Sequence, residues 1–476
     1  MVTKKQAIDL IGQRAQELTA LSDGIWDHPE VKYHEKFASE TLSSFLRENG
    51  FRVTLGVAGI PTAFVAEYGS GHPVIGVLGE YDALERMSQK AECTQREPIA
   101  AGAPGHGCGH NLLGVGMVGA ALAVKAYLES GREGTIKFFG CPAEEGGSGK
   151  TFMARDGVFD GVDAALTWHP ADTNMVSNSS NLANCQIRYR FKGKSAHAAI
   201  SPELGRSALD AMELMNVGVQ FLREHMPSEC RVHYAITDVG GGSPNVVQAD
   251  AEVLYLIRAP KLPQVNDLTE RVNNIARGAA LMTGTQVAIH FVKACSNVLP
   301  NNVLGWQLQK NFEELGSAEY DTADYALAER MQAVMEDKDE YYRELVQAIP
   351  DDEVRQRLMA DVDKPLFTQI LPYDPHDSVS MASSDVGDVS WICPTSQITA
   401  TTMPGCTVMH SWQEVAVGKS AMAHKGMLQA ARVIAATAID LLEDPSIIER
   451  AQAEKARRTG NLPYHCPIPD GVPIPM

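Results

Sequence analysis

PVIGVLGEYDAL, residues 73–84, is the stretch on which the fold turns. Its nearly continuous apolar run breaks abruptly into Glu80, Tyr81 and Asp82. A strand buried on both faces looks like this, as in a parallel sheet covered by helices. Two later stretches repeat the pattern: GTIKFFGCPAEEGG (134–147) ends in paired acids, and DAALTWHPAD (163–172) ends in a histidine. Three strands thus deliver polar residues at their C-terminal ends, where open α/β folds bind ligands, and the expected site is assembled there.

Outward from these strands, the N-terminal region reads as helices over Lys4–Trp26 and His34–Asn49, then a strand in PTAFVAEYG. The small-residue stretch Leu112–Ser130 reads as a packed helix, and its GVGMVG as small-residue packing. From about Ala183 the texture changes. CQIRYRFKGKSAH alternates as a half-exposed strand should, and the order β-α-β-β-α-β runs from there to QVAIHFVKA. That order suits helices on an antiparallel sheet, inserted into the larger domain. The expected organisation is a first catalytic part over 1–183, the insertion over 184–295, and a second catalytic part over 296–476. An acid-rich, helix-like segment at about 311–370 reads as solvated surface helices. A helix from about Ser420 to Glu443 precedes a proline-rich, irregular tail, and no internal repeat is evident.

Composition narrows the class. A length of 476 residues with 44% hydrophobic content is enough for a large core and too long for one typical domain. A formal charge of −18 argues against nucleic acid, whose phosphates would be repelled. Nine scattered cysteines without a CxxC pair argue against a secreted disulfide framework. No span reads as the roughly 18 to 20 apolar residues needed to cross a bilayer, and the N-terminal stretch lacks a signal-peptide core. The expectation is a cytoplasmic protein with no membrane or nucleic-acid partner.

The loop GHGCGHN, residues 105–111, places Cys108 and His110 one residue apart among glycines, so their side chains can converge. Thiolate and imidazole both suit borderline metals such as Zn²⁺, and imidazole also suits Mn²⁺. A nucleophilic cysteine and an ordinary turn around a buried cysteine stay open as alternatives. The nucleophile is the weaker of these, because sequence-adjacent His110 is badly placed as its base. Adjacent Glu144 and Glu145 would repel each other unless a cation sat between them or they pointed apart. With a metal, one acid ligates while its neighbour handles a proton of the attacking water. His169 and His410 are further candidates, the first because it ends the third strand.

Taken in order, GEYDAL, GHGCGHNLLG, GCPAEEGGSGKTFM, DAALTWHP, FKGKSAHAA, SPNVVQADAEVLYLIRAP, SSDVGDVSW and the YHCPIP tail resemble one family. It is the aminoacylase/carboxypeptidase-type dinuclear metallopeptidases, in the cysteine-ligand branch with the auxin-conjugate amidohydrolases. The resemblance runs from near residue 20 to the tail and is weakest across the acidic segment. It implies an α/β, mostly parallel sheet flanked by helices, of the zinc-peptidase type, carrying an inserted α+β ferredoxin-like lid and dimerisation domain. It implies Cys108, His110, Glu145, His169 and His410 as ligands of two divalent ions, Mn²⁺ or Zn²⁺, with Cys108 bridging. Glu144 becomes the general base and acid, and Asp82 the acidic support behind the metals. At Glu80 the family usually has a histidine ligand, so no ligand role is carried over there. His197 resembles a histidine that reaches into a partner's site to stabilise the oxyanion, while Asn245 and Arg258 resemble residues that hold a substrate carboxylate. The implied activity is hydrolysis of an N-acyl or N-aroyl amino acid, p-aminobenzoyl-glutamate being the leading candidate. Rival readings are a dipeptidase, another N-acyl-amino-acid hydrolase, or a non-catalytic partner subunit. The implied assembly is a homodimer through the lid or a heteromer with a related chain.

Overall fold

A computed structural model describes residues 1–336 and 340–476; residues 337–339, inside the acidic segment, lie outside the described residues. A seven-stranded sheet runs in the spatial order Arg52–Leu55, Phe64–Ser70, Gly134–Cys141, Val74–Glu80, Ala164–Ala171, Thr395–Thr401 and Met175–Ser177. The four strands 134–141, 74–80, 164–171 and 395–401 are mutually parallel, and the outer ones join antiparallel. Every residue of Val74–Glu80 is buried, as the unbroken apolar run requires. The C-terminal ends of Val74–Glu80, Gly134–Cys141 and Ala164–Ala171 therefore lie side by side.

One helix fixes the site to this sheet. His110–Leu128 lies against Val74–Glu80 and Gly134–Cys141 and is buried along nearly its whole length. Its glycines allow the close approach: a Cβ on Gly116 would stand 2.6 Å from Trp168 Nε1, and one on Gly114 2.6 Å from the Glu80 carbonyl oxygen. This helix also has the length and apolarity of a membrane span, which corrects the reading that no such stretch exists. Its apolar surface is continuous because neighbours surround it, as for any helix at the centre of a large core.

The second sheet has the spatial order Gln286–Cys295, Ala183–Lys192, Asp250–Ala259 and Arg231–Asp238, all antiparallel. Helices Ala208–Leu222 and Leu262–Thr283 cover one face. Alternate residues Ala251, Val253, Tyr255, Ile257 and Ala259 are buried against these helices. The α/β architecture with an inserted α+β unit is thus the one expected.

Differences are local. The expected single helix over Lys4–Trp26 is two, Lys4–Gln13 and Ala15–Asp27, broken at Arg14, whose guanidinium reaches Asn49 and Glu17. A helix not expected, Pro445–Thr459, follows Ala421–Glu443. The acidic segment is more than solvated surface: helices Thr322–Gln332, Tyr341–Gln347 and Asp352–Met359 bury Leu327, Met331, Tyr342, Val346 and Leu358. The charged residues dominate its composition, while a sparse apolar set faces Met403, Ala416 and Val417 around the His410 loop.

Candidate metal centre

The loop before the central helix is held by glycine geometry. Gly109 caps that helix with φ +65°, a left-handed conformation that favours glycine, and a Cβ there would stand 2.8 Å from Pro170. Gly107 offers its carbonyl to the backbone N–H of His410 at 3.1 Å. The loop therefore lies between His169-Pro170 on one side and His410 on the other, although His410 is remote in sequence.

Around Cys108, two sets of three potential ligand atoms form, Cys108–His110–His169 and Cys108–Glu145–His410, each with its atoms within 4.8 Å of one another. Ligands bonded to one ion at 2.0–2.3 Å lie within about 4.6 Å of one another, so each set has nearly the span that an ion needs. Cys108 Sγ belongs to both. A third set, Glu80–His110–Glu144, adjoins them.

The second contacts of these groups are those that aim a ligand. His110 Nδ1 meets Asp82 Oδ1 at 2.9 Å, which leaves its buried Nε2 without a hydrogen bond among the described residues. His169 Nδ1 donates to the Pro170 carbonyl at 2.8 Å, and its Nε2 lies 3.4 Å from Cys108 Sγ. In both rings one nitrogen is committed to an oxygen and the other faces the centre, an arrangement common for metal-bound histidines. The other Asp82 oxygen accepts the backbone N–H of Glu145 at 2.8 Å. Glu145 Oε1 is buried without a hydrogen bond among the described residues and lies 3.3 Å from His410 Nε2. Orphaned donor atoms of His110 and Glu145, converging with a thiol, fit a borderline divalent metal.

The paired acids sit on a strained turn that other buried groups support. Ala143 has φ +61° and Ser148 φ +58°. Buried Glu35 accepts the backbone N–H of Ala143 at 2.8 Å, and Tyr33 donates to the Gly147 carbonyl at 2.7 Å. Behind His410, itself at φ +57°, the carboxyl of Glu414 accepts the His410 backbone N–H at 2.9 Å.

Electrostatics separates the two adjacent acids. Burial, then the nearby carboxylates Glu80 and Glu145, holds the Glu144 carboxyl well above its ordinary range. Burial also works against ionisation of Glu145, but His410 and His110 outweigh it and bring that group down to about 2. The two adjacent carboxyls are thus shifted in opposite directions, Glu145 toward the anion and Glu144 toward the protonated acid. Burial, then the carboxylates Glu145, Glu414 and Glu144, pushes the Cys108 thiol up.

Seven of the expected site residues, Asp82, Cys108, His110, Glu144, Glu145, His169 and His410, are thus brought together. A cavity of about 500 Å³ is lined by five of them, Cys108, Glu144, Glu145, His169 and His410. The acidic segment contributes Tyr341 to its wall, beside Met175, Met403 and Met409. His197, Asn245 and Arg258 do not line it; all three belong to the four-stranded unit. There, Ala198 N–H bonds the Asn245 carbonyl at 2.9 Å, and His197 Nδ1 accepts the backbone N–H groups of Ala199 and Ile200, leaving Nε2–H as a donor. Sequence reading missed Lys150, Asp385, Glu35 and Glu414. A lysine five residues after the paired acids, in GGSGKTFM, was the available signal for the first.

Comparison with known proteins identifies the family. The model of Peptidase family M20/M25/M40 matches residues 76–367. The B component of p-aminobenzoyl-glutamate hydrolase from Escherichia coli (strain K12) is 48% identical over 471 residues, covering 98% of this chain and 98% of that protein. Xaa-Arg dipeptidase from Mus musculus is 33% identical over 327 residues, covering 66% of this chain and 72% of that protein. Among solved structures, the Bacillus subtilis YXEP protein, described as a dinuclear metal binding peptidase from the M20 family, shares the fold. Its TM-score is 0.57 at 18% identity, covering 91% of this chain and 99% of that one. The chain belongs to Peptidase family M20/M25/M40 and is a hydrolase of amide bonds.

Proposed function

We propose that this chain is a two-metal amidohydrolase that cleaves p-aminobenzoyl-glutamate to p-aminobenzoate and glutamate. The observation that carries the chemistry is the pair of three-ligand sets sharing Cys108 Sγ, with Glu144 beside them. The substrate rests on the 48% identity, spread over 98% of both chains, with a protein named for it. An apolar wall of Tyr341, Met175, Met403 and Met409 suits an aroyl group.

Cys108, His110, Glu145, His169 and His410 would hold the ions, Mn²⁺ being the first candidate and Zn²⁺ the second. Bound there, they would supply Lewis acidity to the amide carbonyl and lower the pKa of the attacking water. Glu144 takes that water's proton and passes it to the leaving nitrogen. Asp82 holds His110 and the Glu145 backbone in place. Replacing Asp82 with Asn should lower metal affinity about 10- to 100-fold in equilibrium dialysis. Unchanged affinity would remove Asp82 from the support of the centre.

The four-stranded unit, residues 184–295, would be the lid and dimerisation domain. Its edge strand Arg231–Asp238 exposes Tyr234 and Ile236, and the helix Ala208–Leu222 exposes Val217 at 53% and Phe221 at 65%. A sheet edge beside an apolar stripe suits a second copy or a related chain. His197 then enters the partner's cavity as an oxyanion donor, while Asn245 and Arg258, whose buried Nε has no hydrogen bond among the described residues, hold the substrate carboxylate. Phe221→Asp should shift the protein to a lighter species in analytical ultracentrifugation. Mixing separately inactive Glu144→Gln and His197→Ala chains should restore activity; no restoration would place His197 in its own chain's site or outside the chemistry. The proposed location is the cytoplasm.

The direct test is hydrolysis by the purified chain alone across p-aminobenzoyl-glutamate, N-acetyl amino acids and Xaa-Arg dipeptides. Preference for the first is expected. Preference for dipeptides would favour the dipeptidase reading, and inactivity with metal bound would favour a partner subunit that supplies the chemistry.

A further inference from the structure

Lys150 lies in the first turn of the short helix Gly149–Arg155 after the paired acids, and its side chain has no exposure to solvent. Burying an ammonium is unfavourable unless it is paired and hydrogen-bonded. Lys150 has both: its Nζ lies 2.6 Å from Glu80 Oε1 and 2.6 Å from Asp385 Oδ1. Asp385 Oδ2 also accepts the Lys150 backbone N–H at 2.8 Å. This clamp joins two parts of the cavity. Glu80 is at its floor, with its second oxygen 3.3 Å from His110 Nε2, and Ser383, Ser384 and Val386 beside Asp385 line its wall.

Nothing in the proposed reaction uses these three residues, yet they adjoin it. Glu80 stands where a further carboxylate could do harm, within 4.8 Å of both the His110 nitrogen and the Glu144 carboxylate. With one oxygen committed to Lys150 and its charge offset, Glu80 is restrained. Without Lys150 it would be an uncompensated carboxylate, able to swing onto a metal ion or crowd Glu144.

We propose that Lys150 is a positioning residue of the centre: its ammonium restrains Glu80, so that Glu144 alone is the carboxylate free to move protons. This inference rests on the metal-centre reading above. It is tested with Lys150→Met, Glu80→Gln and the double variant, each assayed for turnover and for metal retained against a competing chelator, beside wild type. Lys150→Met should lower kcat about 10- to 100-fold while holding metal at least as tightly as wild type, because the freed Glu80 adds a donor. The double variant should recover most of that loss, since Gln carries no charge to restrain.

Wild-type kcat in Lys150→Met, loss of metal together with activity, or a double variant no better than the single one would each overturn the proposal. Should Lys150→Met not fold, the double variant decides. A folded, metal-bound and active double variant supports the charge role, and one that also fails to fold or is inactive overturns it. Wild-type protein that binds no metal would overturn this inference and the reading beneath it together.

Discussion

Glu144→Gln protein is expected to fold, to retain its metal and to hydrolyse p-aminobenzoyl-glutamate about 10²- to 10⁴-fold more slowly than wild type. Glutamine keeps the shape of the side chain and removes its capacity to take a proton. The two acids of the pair differ in setting: Glu145 is drawn down to about 2 by His410 and His110 against the effect of burial. Glu144 is held high by burial and by Glu80 and Glu145. Glu145→Gln should therefore act differently, losing metal along with turnover. Steady-state kinetics paired with elemental analysis checks both. Full turnover in Glu144→Gln would refute the base assignment.

The second large effect is expected at Cys108. Its Sγ is the one atom common to both three-ligand sets, so Cys108→Ala should weaken both metal positions and reduce hydrolysis to background. His410 belongs to only one set, and His410→Ala should lose one metal equivalent while the Cys108–His110–His169 position still fills. Elemental analysis after gel filtration separates the two variants. Equal stoichiometry in both would mean that Cys108 does not bridge. Structural variants of the same loop would behave otherwise: a side chain at Gly109 would meet Pro170 and displace the loop itself.

The strands that carry the site were legible because burial on both faces leaves a plain mark. Val74–Glu80, Gly134–Cys141 and Ala164–Ala171 are apolar runs that stop at Glu80, Glu144 and His169 or close beside them. The β-α-β-β-α-β order was equally readable, since alternation such as that of Ala251 to Ala259 belongs to a half-covered sheet. What local pattern could not place was His410. It is brought to Cys108 by the backbone bond to Gly107, a tertiary contact that no spacing encodes. Its residue type made it a candidate, and only the resemblance gave it a ligand role.

The Lys150 clamp was hidden for a related reason. Its partners Glu80 and Asp385 come from distant parts of the chain, and a lysine in a glycine-rich turn reads as solvated until the packing around it is seen. The acidic segment misled in the opposite direction. Its charge is on the surface, but a few apolar side chains turn inward and Tyr341 reaches the cavity wall. Composition averages over both faces of a helix, and so reports the more numerous one.

The most direct test of the account is a metal titration. Metal-stripped protein is given Mn²⁺ in increments, with Zn²⁺ in a parallel series, while release of p-aminobenzoate from p-aminobenzoyl-glutamate is followed. A two-metal centre predicts no product from the stripped chain and activity that climbs to a plateau near two metal equivalents per chain. Product formation by metal-free protein, or no product with two equivalents bound, would contradict it.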